Sequence, residues 1–236
     1  MKKTILMAAI AALVLTSCGS SRNVTYAPAP VQKDSEMSKK DAEIGQPLSG
    51  AAGKTKEWTA QGWVVTGGYG MFTMYDLLDM HYKKLMSDMD RYTSVVGVGT
   101  HGSATVNAKL SSALLFAQYQ AAVLYATRAA NSISGGITGS TGTETNEKIV
   151  AAYTMSLQKK ILPAMRESIS VYREKIDENG AKVIEVQAYY LVDEEKAKTV
   201  REDAAKEVIT ELALDAVVAD QVMDLSSKLA GMGELE

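Results

Sequence analysis

SISVYREKIDENGAKVIEVQAYYLV, residues 168–192, is the stretch from which the fold is read. Two runs rich in β-branched and aromatic residues, Ser168 to Ile176 and Lys182 to Val192, flank Asp177-Glu178-Asn179-Gly180. Asn-Gly accepts the positive φ that a tight hairpin turn demands, so the two runs are expected to pair antiparallel. In the second arm Ile184, Val186, Ala188, Tyr190 and Val192 share one face, while Lys182, Glu185 and Gln187 lie on or near the other. A period of two with one apolar face describes a half-buried sheet.

Outward from the hairpin the period changes to that of helices. A long C-terminal helix is expected from about Glu194 to Ala230, with Val200, Ala204, Val208, Leu212, Val218, Val222, Leu225 and Leu229 on a stripe. On the other side, Asn146 to Met165 reads as a helix with Ile149, Tyr153, Leu157 and Ile161 in line and Pro163 to end it. Ser134 to Thr143 is rich in Gly, Ser and Thr and reads as a loop. Before it comes a helix from about Ala104 to Ile133, whose Ala104, Ala108, Ala113, Ala117, Ala121 and Ala122 keep the surface small, so that something packs closely against it. Its charge-free run, Leu110 to Thr127, is as long as a short membrane span. Gln118 and Gln120 near the centre weigh against lipid, where an unpaired polar group costs several kcal/mol, so a helix lying across a sheet is the preferred reading. Further upstream are a strand at Tyr92 to Val98, a helix at Met71 to Met89 and a strand at Trp58 to Val65 ending in Gly67-Gly68-Tyr69-Gly70. The order strand, helix, strand, helix, helix, hairpin, helix predicts an α/β domain of the α+β type. Its two layers are a small, mostly antiparallel sheet and long helices on one face.

The beginning of the chain has a different character. Lys2 and Lys3 precede an uncharged apolar run, Ile5 to Leu15, followed by Leu15-Thr16-Ser17-Cys18. That is the order of an export signal, and the run is about 16 Å long as a helix against a hydrocarbon core of about 30 Å. Small residues leading straight into a cysteine resemble the lipobox cut by lipoprotein signal peptidase, which implies removal of residues 1–17 and lipidation of Cys18. Cys18 is the sole cysteine among 236 residues, so neither an internal disulfide nor a cysteine zinc site is expected. Residues 18–56 hold three of the four prolines and no sustained apolar period, and read as a flexible tether, leaving 57–236 as a single domain.

Removing Lys2 and Lys3 with the leader takes the basic count from 25 to 23 against 28 acids, a net charge of −5 that disfavours nucleic acid as a partner. Gly97-Val98-Gly99-Thr100-His101-Gly102 satisfies G-x-G-x-x-G between an expected strand and an expected helix. The dinucleotide fold also needs a following parallel strand with an acid about twenty residues on. No Asp or Glu occurs from Ser103 through Thr143, so the motif reads as a tight turn, with an anion or ligand turn at Gly97, Gly99 and Gly102 as the functional variant. His81 and His101, the two histidines, sit in no ligand-spaced cluster, and His81 falls on a run of alternating charge that reads as a solvated face. Glu194-Glu195 and Glu202-Asp203 read as helical surface, and G-x-S-x-G is absent. No metal, cofactor or catalytic residue is expected.

The Gly97-x-Gly99 strand end, the alanine-spaced helix with Ala104, Ala108, Ala113 and Ala117, and the hairpin before a C-terminal helix together resemble a family of small bacterial lipoproteins. It is the family typified by a twenty-kilodalton membrane-associated lipoprotein, related in fold to the N-terminal domain of the flagellar assembly protein T. The likeness spans about Trp58 to Val208, and the chain departs from it in the extra helix and loop between Ser134 and Met165. The resemblance implies a compact α/β domain, an outer-membrane address and no catalytic residues. The leading expectation is a non-enzymatic envelope protein held in the membrane by lipid on Cys18, binding an envelope protein or its own copies through alanine-rich and methionine-rich surfaces. A module for a small ligand or cell-wall glycan, using the glycine turn and Tyr189-Tyr190, is the alternative, and a periplasmic hydrolase the third. Cys18 is followed by Gly19, Ser20, Ser21 and Arg22 rather than acids, which points to the periplasmic face.

Overall fold

A computed structural model of the chain describes residues 50–88, 90–102, 106–137, 141–228 and 234–235. The leader 1–17, Cys18 and the proposed tether as far as residue 49 lie outside the described residues, as does Ala104. The chain is an α+β domain in which a mostly antiparallel sheet packs against long helices. In chain order the elements are α1 (Gly50–Ala60), β1 (Val64–Val65), α2 (Met74–Ser87), β2 (Tyr92–His101), α3 (Val106–Ile137) and α4 (Thr143–Lys160). A short 3₁₀ turn (Leu162–Ala164) leads into β3 (Met165–Ile176), β4 (Lys182–Asp193), α5 (Glu194–Leu212), α6 (Ala216–Lys228) and β5 (Glu234–Leu235). The strand order is β1-β3-β4-β2-β5, with β5 parallel to β2 and every other pairing antiparallel.

The hairpin is as expected, and its turn chemistry can be named. Gly180 alone takes positive φ, at 79°, while Asp177 Oδ1 accepts from the backbone N–H groups of Asn179 and Ala181 at 2.9 and 2.8 Å. This is a type I turn followed by a left-handed glycine rather than a two-residue turn with both φ values positive. β4 is the central strand, and its alternation divides the protein. Ile184, Val186, Ala188, Tyr190 and Val192 join the core beneath α3 to α6, whereas Tyr189 joins a second core with Trp58, Trp63, Leu77 and Leu78. Helices therefore cover both faces of the sheet: α1 and α2 pack opposite the main helical layer, which corrects the expectation of one covered face. β4 looks one-sided in sequence because Tyr189 and Leu191, which are buried on the other face, follow the polar Glu185 and Gln187 on that same face of the strand.

Trp58 to Val65 is not a strand. α1 runs through Trp58, buries Ala51, Ala52 and Trp58, and takes in part of the segment assigned to the tether; only Val64 and Val65 are extended. α2 starts at Met74, not Met71. Thr73 and Asp76 form a capping box, Asp76 N donating to Thr73 Oγ1 at 3.2 Å and Thr73 N to Asp76 Oδ2 at 2.8 Å, which leaves Met71 and Phe72 exposed before the helix. The C-terminal helix breaks in two at Ala213, whose φ is 48°, and restarts where Asp215 Oδ1 accepts from Val217 N and Val218 N at 3.0 and 3.1 Å.

Gly97 and Gly99 lie inside β2, which continues to His101 in unbroken register with β4, so the expected glycine turn is a strand. The glycines serve the approach of α3. A Cβ on Gly97 would stand 1.8 Å from the carbonyl oxygen of Ala117, and one on Gly99 would stand 2.0 Å from that of Ala113. The helix backbone thus rests directly on the strand backbone, with Ala113, Ala117 and Ala121 fully buried between them. α3 then continues past Ser134 to Ile137, where a loop was expected, because Gly136 leaves room for Leu225 of α6: a Cβ there would be 2.4 Å from Leu225 Cδ1.

These contacts set opposite signs for three glycine-to-alanine changes. Gly97→Ala and Gly99→Ala must lift α3 and are expected to cost at least about 3 kcal/mol each. Gly135→Ala meets nothing within 4 Å and should stabilise by about 0.5–1 kcal/mol through helix propensity. Urea midpoints of the three variants check both signs.

Candidate functional site

On the α2 side of the sheet, a cleft of about 650 Å³ opens between α2, the segment before it, and the start of β3. Leu77 and Met80 of α2, Phe72, Pro163 and Leu191 give it apolar walls. Its charges are mixed: Lys84, Arg166 and Lys196 line it together with Glu167 and Asp193. Asp193 Oδ1 is buried without a protein hydrogen-bond partner, while Oδ2 lies 3.6 Å from Arg91 Nη2. Met71, Phe72 and Met80 are 98%, 57% and 43% exposed, so the cleft stands in an apolar surround.

The floor of the cleft holds a chain of polar groups that the sequence reading placed elsewhere. His81, expected on a solvated face, is buried. Its Nδ1 is 2.6 Å from Ser168 Oγ and its Nε2 is 2.9 Å from Ser94 Oγ. Ser168 donates to the carbonyl oxygen of Tyr189 at 3.0 Å, so it must accept from His81 Nδ1–H, and Nε2 accepts from the Ser94 hydroxyl. The ring is the neutral tautomer, and burial pushes its pKa down to about 4. A serine bonded to the basic nitrogen of a histidine has the composition of a nucleophile pair. Ser94, however, has no solvent exposure, and the Ser168 proton is committed to a carbonyl. The chain ties α2 to β2, β3 and β4. Tyr69 sits at the cleft's rim and donates to Glu167 Oε1 at 2.5 Å; burial, followed by that carboxylate, raises its pKa to about 12.

Glu194, expected on helical surface, is likewise buried. Arg201 Nη1 donates to Glu194 Oε2 and to Tyr125 OH, each at 2.5 Å; Tyr125 donates to Glu194 Oε2 at 2.9 Å, and Arg201 Nε donates to the Ser226 carbonyl at 3.0 Å. This buried pair joins α3, α5 and α6. Burial first, then the Glu194 charge, raises the Tyr125 pKa. Tyr125 faces the helical core, while Glu194 and Arg201 also border an open depression of about 350 Å³ lined by Asp88, Arg91, Glu195 and Lys198.

The glycine-turn site is not assembled: Gly97 and Gly99 are covered by α3, and Gly102 stands beyond the end of β2. Nor do Tyr189 and Tyr190 make a joint platform. Tyr189 packs edge-on to Trp58 and His81 at 5.4 and 5.3 Å between ring centres, whereas Tyr190 belongs to the opposite core. The alanine side of α3 is buried, and the large apolar residues that the helix exposes among the described side chains are Leu115, Phe116 and Tyr119. Spacing carried no signal for His81, Ser94 and Ser168, because three strands and a helix bring them together from distant positions. Among the described residues no group of three or more His, Cys, Asp or Glu is placed to hold a metal ion, and no helix is long and apolar enough to cross a membrane.

The chain matches no protein-family model, no curated protein and no solved structure.

Two polar groups give measurable consequences. His81 stabilises the fold fully above its unfolded pKa of about 6.5, and that contribution is lost as pH falls toward about 4, because the unfolded chain takes up a proton the folded one refuses. Between pH 7 and pH 5 the wild type should lose about 2 kcal/mol that His81→Gln does not, read from urea unfolding at each pH. Arg201→Met strands a buried carboxylate and should cost about 3–5 kcal/mol; Glu194→Leu combined with it should cost less than Arg201→Met alone.

Proposed function

We propose that this chain is a bacterial envelope lipoprotein, held in the outer membrane by lipid on Cys18 and facing the periplasm, that acts without catalysis as a protein-interaction module. The observation that carries the anchor is the run Lys2, Lys3, Ile5 to Leu15 and Leu15-Thr16-Ser17-Cys18, the order in which an export signal meets a lipidated cysteine. Several acyl chains on one residue suffice for stable anchoring, where a single chain gives only marginal binding. The resemblance to the small lipoprotein family typified by the twenty-kilodalton membrane-associated lipoprotein supports the same address.

The interaction role is supported by the apolar residues left in water. Leu115, Phe116 and Tyr119 are 68%, 48% and 50% exposed on α3, at the centre of its charge-free stretch. Apolar surface gathered in this way favours association with another protein or another copy. The polar floor of the cleft supports a non-catalytic reading, since Ser94 is closed to solvent and His81 is occupied at both ring nitrogens. A second reading, a module for a small ligand, is favoured by the cleft itself. Apolar walls with cations and carboxylates, one of them holding an unpartnered oxygen, suit a zwitterionic molecule such as a cell-wall peptide stem.

Intact mass of the protein from membranes should show a chain beginning at Cys18 and carrying diacylglyceryl and acyl groups, and Cys18→Ala should abolish membrane retention. An unmodified residue 18 with the protein free in solution overturns the anchor. Saturable binding of peptidoglycan stem peptide, lost in Phe72→Asp, would replace the interaction reading with the second.

A further inference from the structure

We infer that two copies of this chain pair edge to edge through β2, antiparallel about a two-fold axis at Val98, with the exposed side of α3 packed against its counterpart. This rests on the interaction reading above and names the partner as a second copy.

The edge is open. β5 pairs with β2 at Ser94 and Val95 alone, and from Gly97 to Thr100 no strand among the described residues lies on the outer side. Proteins blunt such edges with lysine, proline or a bulge. Here Val95 to Thr100 holds neither charge nor proline, and β2 keeps an unshifted register with β4. An edge left in this state is suited to receive another strand.

The sequence of the edge matches itself. Val96-Gly97-Val98-Gly99-Thr100 is a near-palindrome in shape, because valine and threonine differ by a methyl for a hydroxyl. Antiparallel pairing about Val98 sets Gly97 opposite Gly99, Val96 opposite Thr100 and Val98 opposite Val98. Glycine thus meets glycine on the side crowded by α3, and β-branched residues meet on the other, where such cross-strand pairs are favourable. A foreign strand needs no such symmetry; a two-fold interface does.

The helix obeys the same axis. Ala117 lies against Gly97 and Ala113 against Gly99, so Leu115 is level with Val98. At 100° per residue, Ala113 and Ala117 face the sheet, Leu110 and Leu114 turn inward to the core, and Phe116 and Tyr119 turn the other way, toward the open edge. No charge occurs from Leu110 to Thr127, so two chains of the same net sign bring no repulsion to this face. Paired strands lie about 4.8 Å apart, while packed helices need about 8–10 Å. Because α3 packs on both β2 and β4, its axis is set inward from β2, and an offset of about 2 Å in each protomer opens the spacing that the helices require.

The test is cysteine cross-linking of the full chain in membranes of expressing cells. Val98→Cys should form a disulfide dimer on mild oxidation, at least 10-fold above Met155→Cys, an exposed position on α4. Val98→Lys places like charges on the axis at a side chain that is 42% exposed, and should abolish energy transfer between labelled copies reconstituted together in one bilayer, while circular dichroism shows the fold retained. Cross-linking of Val98→Cys no greater than that of Met155→Cys, or energy transfer that survives Val98→Lys, overturns the pairing. A different protein trapped at residue 98 also overturns it while sparing the interaction reading. An unmodified Cys18 with intact cross-linking would strike the anchor alone.

Discussion

The arrangement depends on one contact, the backbone of α3 lying on the backbone of β2. Gly97 and Gly99 have no side chain to hold the helix off, and any Cβ at either position would fall within 2.0 Å of a helix carbonyl. Helices usually ride on a sheet through a layer of side chains. Here that layer is reduced to the methyl groups of Ala113, Ala117 and Ala121. α3 is also the surface against which α4 and α6 pack, and α5 packs in turn on those two. The alanines nearer its C-terminus, Ala126, Ala129 and Ala130, are buried within that assembly. The small residues follow α3 from a sheet contact into a helix contact.

β4 performs the complementary task of separating two cores. Its alternate residues supply the helical core on one face and the tryptophan-lined core on the other, so a shift of one residue would exchange the two sets. Two polar groups lock this arrangement from either side. His81 joins α2 to three strands through Ser94, Ser168 and the Tyr189 carbonyl, and Arg201 joins α3, α5 and α6 through Tyr125, Glu194 and the Ser226 carbonyl. Each group is satisfied in one geometry. A buried network of this kind selects that geometry among packings an aliphatic core would tolerate.

The hairpin, the stripe Ile149, Tyr153, Leu157 and Ile161, and the close packing of the alanine helix were legible because each depends on local period or residue size. What was misread depended on partners remote in sequence. Gly97 and Gly99 look like a turn until α3 is laid upon them. Gly136 looks like part of a loop until Leu225 fills the space beside it. Trp58 to Val65 has strand composition, yet Trp58 is helical because α1 packs against α2 and Tyr189. His81 and Glu194 were assigned to solvent by neighbouring charges in sequence, whereas their environments are set by serines, a tyrosine and an arginine from other elements. The break at Ala213 had a local signal, Asp215 as a capping residue, which an apolar stripe running across it concealed.

An interface built from a short strand edge and one helical turn is small, and in free solution its contacts would have to offset the full loss of translational and rotational freedom. The proposed lipid on Cys18 would change that balance, because chains confined to one leaflet would already share a plane and a narrow range of orientations. The effective concentration of a second copy would then be set by surface density rather than by dilution, the same advantage that linkage gives to joined binding modules. A weak, uncharged, self-complementary edge is suited to those conditions: it associates where the chains are gathered and leaves a precursor in transit unpaired. The absence of charge on β2 and along the middle of α3, a liability for a freely diffusing protein, would become workable under the proposed anchor, where the partner is an identical neighbour in the same membrane.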